Sequence, residues 1–239
     1  MDGLRQLLPT AEDSSERAAI LLQLAVCLRG LGQSAEARDA IRSVYGLVGE
    51  NAQILVPALA MESTLDQDTG RWGESLSALD RALALVDLTE DEDLRADIDR
   101  KRGIALYELS RPKEALPLLK RAAVKDDEKS RVLYYLGRCL CDLGDPANSA
   151  SSLCQALALD LDAVYQPSAH YVLGIAFHAQ GESARAVPEL EWCLQHDVRG
   201  LVARWRVLAA LVQASKALAQ EKDADRYAKM LRDLDNGKP

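Results

Sequence analysis

Small residues recur along this chain, and the interval between them has the length of one pair of helices. They occupy positions 37, 75, 115, 149, 186 and 224, so that successive copies lie 38, 40, 34, 37 and 38 residues apart. Apolar residues follow them at helical spacing, as Leu153 and Ala156 follow Ser149. Recurrence at a period of about 20 to 50 residues indicates a repeat array, in which stacked units share a continuous core. The sequence therefore predicts a helical repeat protein.

A second helical segment precedes each of these segments. Its mark is a small residue twelve positions earlier, and the clearest examples are Gly137 and Gly174. A glycine suited to the end of a helix then separates the two segments in four units, at Gly32, Gly70, Gly144 and Gly181. Together the two segments predict antiparallel helix pairs. The predicted units are approximately 18–51, 56–89, 96–129, 130–163, 167–200 and 202–235.

Two units depart from this frame. In the second unit, polar Glu62, Ser63 and Asp66 occupy places where the first helix should bury apolar side chains, so residues 50–70 are the predicted weak point of the array. In the last unit the small residue of the first helix is taken as Ala209. That choice places Ala224 fifteen positions after the small residue instead of twelve, which predicts a turn about three residues longer than the others.

The frame resembles the tetratricopeptide repeat, whose pattern is W-x₂-L-G-x₂-Y…A-x₃-F…P. The opening of that pattern is matched by Trp205, Leu208 and Ala209, and the resemblance extends over roughly residues 17–234. It implies an all-α, right-handed superhelical solenoid of about six antiparallel helix pairs that forms a single domain over residues 1–239. It also implies a scaffold or adaptor that binds a peptide or partner protein in a concave groove.

Composition narrows the classes of partner. The net charge is −8 and the isoelectric point is near 5.0, which opposes a nucleic-acid partner because phosphate binding needs a basic footprint. No apolar run approaches the roughly 18 residues that span a bilayer, so membrane insertion is not expected. Five irregularly spaced cysteines and a start without a secretory signal indicate a reducing, cytoplasmic environment.

The sequence also lacks the residue patterns of catalysis. It contains no recognisable pairing of a nucleophile with a base, no His/Cys cluster with metal-ligand spacing and no glycine-rich phosphate loop. His170, Cys27, Cys139 and Cys193 are interpreted as core residues of the repeats. The chain is therefore predicted not to be an enzyme and to need neither a cofactor nor a metal.

The resemblance implies that the first helices line the groove, and in this chain they carry basic and aromatic residues. The predicted groove residues are Arg100, Lys101, Tyr107, Tyr134, Tyr135, Arg138, Tyr171, His178 and Arg206. Tyr and Arg are frequent interface anchors, and Arg pairs with carboxylates, so the predicted ligand is a peptide or protein of acidic character.

Several alternatives stay open at this stage. In one alternative, Tyr107 or Tyr135 packs between helices. In another, Arg100 pairs with Asp97 or Glu108. The groove can equally be filled by the chain's own terminus or by a second copy, which is self-association. The array can also be a regulatory or oligomerisation module of a larger protein, since residues 4–9 resemble the tail of a preceding helix. An RNA-binding helical repeat is the least favoured alternative.

Overall fold

The computed structural model describes residues 2–125, 129–197 and 200–235, and over these residues the chain is all α-helical. A short 3-10 helix, Leu8–Thr10, follows the first α-helix. The α-helices of the described residues are α1 (Asp2–Leu7), α2 (Ser14–Gly30), α3 (Ser34–Val48), α4 (Ala52–Gln67), α5 (Trp72–Val86), α6 (Glu92–Glu108), α7 (Pro112–Lys125), α8 (Lys129–Asp142), α9 (Pro146–Ala158), α10 (Gln166–Ala179), α11 (Ser183–His196), α12 (Arg204–Ala217) and α13 (Glu221–Asp235). From α2 onward they pack as six successive pairs, so the predicted all-α fold of antiparallel helix pairs is confirmed.

The turn inside each pair has one residue with a positive φ, which in the first five pairs lies seven positions after the small residue of the first helix. Glycine meets this demand without steric cost, and residues with small side chains take the place in two pairs. The residues are Gly32, Gly70, Ser110, Gly144, Gly181 and Ala219. The turn signal therefore has a backbone cause, and Ser110 and Ala219 are the copies that a search for glycine misses.

The helices form two compact units. The first contains α1–α7 and the second contains α8–α13. Within each unit the Cα atoms of neighbouring first helices approach within 8 Å, whereas those of neighbouring second helices stay farther apart over the described residues, although the side chains of Tyr227 and Glu191 meet between α13 and α11. Closer spacing on one side makes that side concave, so the first helices α8, α10 and α12 line the inner surface of the second unit. Whether residues 1–239 act as a single domain stays a prediction.

The last pair corrects the sequence register. Its turn, residues 218–220, is as short as the turns after α8 and α10. Ala219 takes the positive φ, so the equivalent of Gly137 and Gly174 is Val212, one helical turn later than Ala209. Ala228 on α13 then stands where Leu190 stands on α11. The large and small partners have exchanged sides, which conserves volume across the pair and hides the true register from a pattern search.

The polar first helix of the second pair is also accommodated. α4 runs from Ala52 to Gln67 and begins with a cap, because the Asn51 side chain accepts a hydrogen bond from the Gln53 N–H at 3.1 Å. Asp66 is only 4% exposed, and its Oδ1 accepts from Arg38 Nη1 at 2.9 Å and from Arg71 Nη2 at 2.6 Å. The carboxylate therefore has partners in its buried position, which explains how a charged residue occupies a core place.

One predicted core residue is wrong. Cys139 and Cys193 are fully buried, but Cys27 is exposed. Its equivalents on α10 and α12, Ala176 and Ala214, are buried, and each of these two helices is contacted by a complete preceding helix. α2 is preceded only by the six-residue α1, so the matching side of α2 is left partly uncovered.

Candidate functional site

The second unit carries a concentration of positive charge on its first helices. Its three first helices contain six Lys and Arg residues, namely Lys129, Arg131, Arg138, Arg204, Arg206 and Lys216. Against these, the same helices contain a single acidic residue, Asp142. In a chain of net charge −8 this is a local reversal of sign. We call the set Arg131, Arg138, Tyr171, Arg206 and Lys216 the basic face.

The first unit does not share this feature. Its first helices α2, α4 and α6 carry eight Asp and Glu residues against six Lys and Arg residues. The predicted groove residues Arg100 and Lys101 both bond to Asp97, and Lys101 Nζ lies 2.6 Å from Asp97 Oδ2. Arg100 is also buried, with 7% of its surface exposed, and Tyr107 is half-buried. The positive charge of α6 is therefore largely committed inside the unit.

Asp97 responds electrostatically to these two neighbours. Burial acts to raise the pKa of its carboxyl, but the charges of Lys101 and Arg100 and their hydrogen bonds outweigh burial, and the net pKa lies below its usual range. Asp97 is thus a carboxylate at neutral pH, and it neutralises part of the charge that the sequence assigned to the groove.

Two of the predicted tyrosines are buried at the start of the second unit. Tyr134 and Tyr135 are 2% and 4% exposed, and their ring centroids are 5.0 Å apart in an edge-to-face arrangement. Tyr165, which precedes α10, completes the cluster at 5.1 Å from Tyr134. Arg138 lies over Tyr134, 5.3 Å from the ring centroid, and its Nη1 donates to the Tyr134 hydroxyl at 3.1 Å. The tyrosines therefore hold the Arg138 side chain in place rather than presenting open rings.

Tyr171 and Arg206 are the more accessible pair of predicted residues. Tyr171 on α10 is half-buried, and Arg206 on α12 is exposed. Burial raises the pKa of Tyr171, and the positive charge of Arg206 acts in the opposite direction, which places the guanidinium within electrostatic reach of the hydroxyl. Trp205 is 53% exposed, and the Arg206 guanidinium lies 5.6 Å from its ring centroid. An aromatic ring and a cation are therefore offered together at the start of α12.

The remaining predicted site residue, His178, is engaged with its neighbour. His178 Nδ1 lies 2.8 Å from Ser183 Oγ across the turn between α10 and α11. The other two histidines stack on opposite sides of Trp192, with centroid distances of 3.8 Å for His170 and 4.2 Å for His196. Glu189 Oε2 is 2.6 Å from His170 Nδ1, so the half-buried His170 has both a stacking and a polar partner. The histidines thus have structural contacts at both ends of the α10–α11 pair, His178 at the turn and the other two at the opposite end.

Sequence reasoning missed two residues here. Tyr165 lies in the loop between the α8–α9 pair and the α10–α11 pair, a stretch to which the repeat frame assigns no place. Only the tertiary fold brings it to Tyr134. Lys216 is exposed four residues after Val212, the position that His178 holds on α10, but the register error moved attention to Gln213. The positive φ of Ala219, which only the structure shows, places Lys216 in the corrected register.

Two further findings bear on function. Over the part of the chain that the structure describes, no three His, Cys, Asp or Glu side chains are grouped so as to hold a metal ion. The helices of that same part include none with the length and apolarity required to cross a bilayer.

Comparison with known proteins identifies the type of repeat. Residues 61–126, 100–164 and 142–191, which together span more than half of the chain, match the sequence model of a family described as tetratricopeptide repeat. A search of curated proteins finds no match. Among solved structures, PilF of Pseudomonas aeruginosa is 21% identical, with a TM-score of 0.64 over 94% of this chain and 95% of PilF.

Two other solved structures show the same architecture. PilW, described as a widely conserved type IV pilus biogenesis factor, is 18% identical, with a TM-score of 0.63 over 90% of this chain and 92% of PilW. YrrB, described as a TPR protein with an unusual peptide-binding site, is 19% identical, with a TM-score of 0.58 over 81% of this chain and 91% of YrrB. At these identities the similarity shows a shared fold and nothing finer.

Proposed function

Because the chain belongs to the tetratricopeptide repeat family, we propose that it is a scaffold or adaptor without catalytic activity that binds a partner protein on its first helices. The bound element is an acidic segment, and it lies along the basic face of the second unit. One observation carries this proposal: the first helices of that unit have six cationic side chains against one anionic side chain in a chain of net charge −8.

Tyr171 and Arg206 are the central anchors of the proposed site. A half-buried Tyr loses little conformational freedom on binding, and the adjacent guanidinium pairs with a carboxylate through two parallel hydrogen bonds. Such anchors contribute about 2 kcal/mol or more each at the centre of an interface. Arg138, held over the Tyr134 ring, and Lys216 extend the positive surface to either side. YrrB, a relative in fold, is described as having a peptide-binding site, which agrees with a peptide ligand.

A nucleic acid is a poorer ligand for this surface. A polyanion of any length meets the whole electrostatic field of the protein, which is negative overall. α13, the second helix of the last pair, carries five acidic residues. It packs on α12, which contributes Arg206 and Lys216 to the basic face. A short acidic peptide contacts only the positive region, so the charge pattern favours a protein segment.

Selection from a display library of random linear peptides tests the proposal. The peptides enriched on the wild-type chain should be acidic. Arg206→Glu should lower their affinity more than tenfold, in line with the loss of an anchor worth about 2 kcal/mol. Lys229→Glu is the matched control, because it makes the same charge change on an exposed position of α13 in the same helix pair. Enriched peptides without acidic character, or equal weakening by both variants, would refute the proposed site.

A further inference from the structure

The turn between α5 and α6, together with the first two residues of α6, is an acidic segment that contains one exposed leucine. We call residues 87–93 the acidic turn. It contains five carboxylates, all exposed, at Asp87, Glu90, Asp91, Glu92 and Asp93. Leu88, within this run, has 69% of its surface exposed to solvent. An exposed leucine among carboxylates has the chemistry that the basic face is proposed to bind.

The acidic turn is also well ordered by its own hydrogen bonds. The Thr89 hydroxyl donates to the Val86 carbonyl at 2.7 Å and accepts from the Asp91 N–H at 3.3 Å. Asp91 Oδ1 then caps α6 by accepting from the N–H groups of Asp93 and Leu94, at 3.1 and 2.9 Å. A turn held in one conformation loses less entropy on binding than a flexible segment does. Leu88 and Glu90 are therefore presented in a fixed arrangement.

The start of α12 has the complementary pattern. Trp205, with 53% of its surface exposed, stands between two exposed arginines, Arg204 and Arg206. On the acidic turn, Leu88 directly follows Asp87, which also pairs with Arg95, and it precedes Glu90 by two residues. An apolar contact flanked by opposite charges on both sides specifies one register of docking, because a shifted register places like charges together.

From this match we propose that the acidic turn of one copy binds the Trp205 end of the basic face of a second copy. The inference rests on the proposed function, since it takes the basic face to be a site for acidic segments and names this chain as one source. Leu88 packs on Trp205, and Glu90 pairs with Arg206. The contact joins two different surfaces, so each dimer keeps one unused turn and one unused face. Further copies add in the same direction, and assembly grows with protein concentration.

Two double variants of the full-length chain separate the surfaces. The turn variant, Leu88→Ser with Glu90→Lys, removes the docking segment and leaves the basic face intact. The face variant, Trp205→Ala with Arg206→Glu, removes the site and leaves the acidic turn intact. All four side chains are exposed, so both variants are expected to fold, and circular dichroism with thermal unfolding checks this.

Sedimentation velocity over protein concentrations up to about 1 mM reads out the assembly, since that range populates even a contact with a millimolar Kd. The wild type should show a mean mass that rises with concentration, whereas each variant alone should stay monomeric. An equal mixture of the two variants should form dimers and stop there, because only one competent turn and one competent face remain. Lys229→Glu should assemble like the wild type.

The outcomes distinguish this inference from the proposed function. If the acidic library peptides bind but the wild type stays monomeric, self-association is overturned while the peptide site stands. If the wild type assembles and both variants do as well, the contact lies elsewhere and the inference is overturned. If a saturating acidic peptide dissolves the wild-type assembly, the shared site is supported, whereas assembly that persists under the peptide contradicts it.

Discussion

The carboxylate of Asp66 illustrates how one residue stabilises a helix that lacks an ideal repeat sequence. It is nearly enclosed, and it receives guanidinium groups from α3 and from the turn before α5. Arg38 reaches further and donates to the Leu65 carbonyl at 2.9 Å. A buried charge is tolerated where partners satisfy it and is costly where a partner is removed. The expected weak point at residues 50–70 therefore depends on this one cluster.

Replacing Asp66 should reveal that dependence. Asp66→Ala leaves the Arg38 and Arg71 guanidinium groups without their shared acceptor, and we expect a loss of about 2 to 3 kcal/mol in the free energy of unfolding. Asp39→Ala is the control, because its ion pair with Arg42 is exposed on both sides and should contribute less than about 0.5 kcal/mol. Chemical denaturation measures both. Equal losses for the two variants would contradict the role of the cluster.

At the scale of elements, the first and second helices of a pair approach closely wherever the repeat places a glycine. A Cβ at Gly174 would lie 2.6 Å from Leu190 Cγ and 3.2 Å from the Ala186 carbonyl oxygen. The distances at Gly137, to Leu153 Cγ and the Ser149 carbonyl oxygen, are the same. The small residue is thus required by the approach of the helices. In the last pair the requirement is met from the other side, by Ala228.

Gly174→Ala should therefore destabilise the protein, even though alanine is the better helix former. The added methyl must displace Leu190, and overpacking of this kind costs about 1 to 3 kcal/mol. Gly46→Ala on α3 is the matched control: a Cβ there meets nothing within 4 Å, so the change should stabilise by up to about 1 kcal/mol through helix propensity. Thermal unfolding of both variants gives the comparison, and a stabilised Gly174→Ala would disprove the close approach.

The contribution of helix α6 to stability should depend on pH. The pKa of Asp97 is lowered in the folded chain, so its pairing with Lys101 and Arg100 stabilises the fold above the ordinary carboxyl pKa. That contribution is lost as the pH falls through the lowered pKa, since the carboxylate then becomes protonated. Asp97→Asn should accordingly reduce the free energy of unfolding at pH 7 and have little effect once the wild-type carboxyl is protonated. An effect that does not change with pH would contradict the pairing.

The elements also show what a sequence of this kind determines. The helix pairs follow from local rules, because the small residues, the apolar stripes and the positive-φ turns recur from one helix pair to the next. The burial of Tyr134 and Tyr135 does not follow from local rules, because it depends on Tyr165, which lies outside the repeat frame. The α12 register failed for a similar reason. Trp205, Leu208 and Ala209 imitate the repeat pattern one turn early, and the exchange of Val212 and Ala228 becomes visible only when two helices are paired.

At the scale of the whole molecule, the distribution of charge matters more than its total. This chain of net charge −8 has a basic face on the first helices of the second unit and an acidic turn on the first unit. Oppositely charged surfaces on one protein steer encounters and select orientation more than they add affinity. The proposed ligand class and the proposed self-association both follow from this separation of charge.

The affinity for an acidic peptide should accordingly depend on salt. Screening shortens the Debye length from about 10 Å at 0.1 M to about 3 Å at 1 M, so the Kd should rise steeply over that range. Arg206→Glu should flatten the dependence, since one attractive charge becomes repulsive, whereas Lys229→Glu should leave the slope nearly unchanged. Fluorescence anisotropy with a labelled library peptide provides the curves. A Kd that is independent of salt would show that apolar contacts, not charge, hold the ligand.

The most direct test is to map the binding site by amide chemical shifts. An acidic library peptide is titrated into the isotopically labelled wild-type chain, and the perturbed amides are located along the sequence. We expect the perturbed amides to cluster on α10 and α12 around Tyr171 and Arg206, with smaller changes on α8 and little on α9, α11 and α13. A cluster on those second helices, or on the first helices of the other unit, would contradict it.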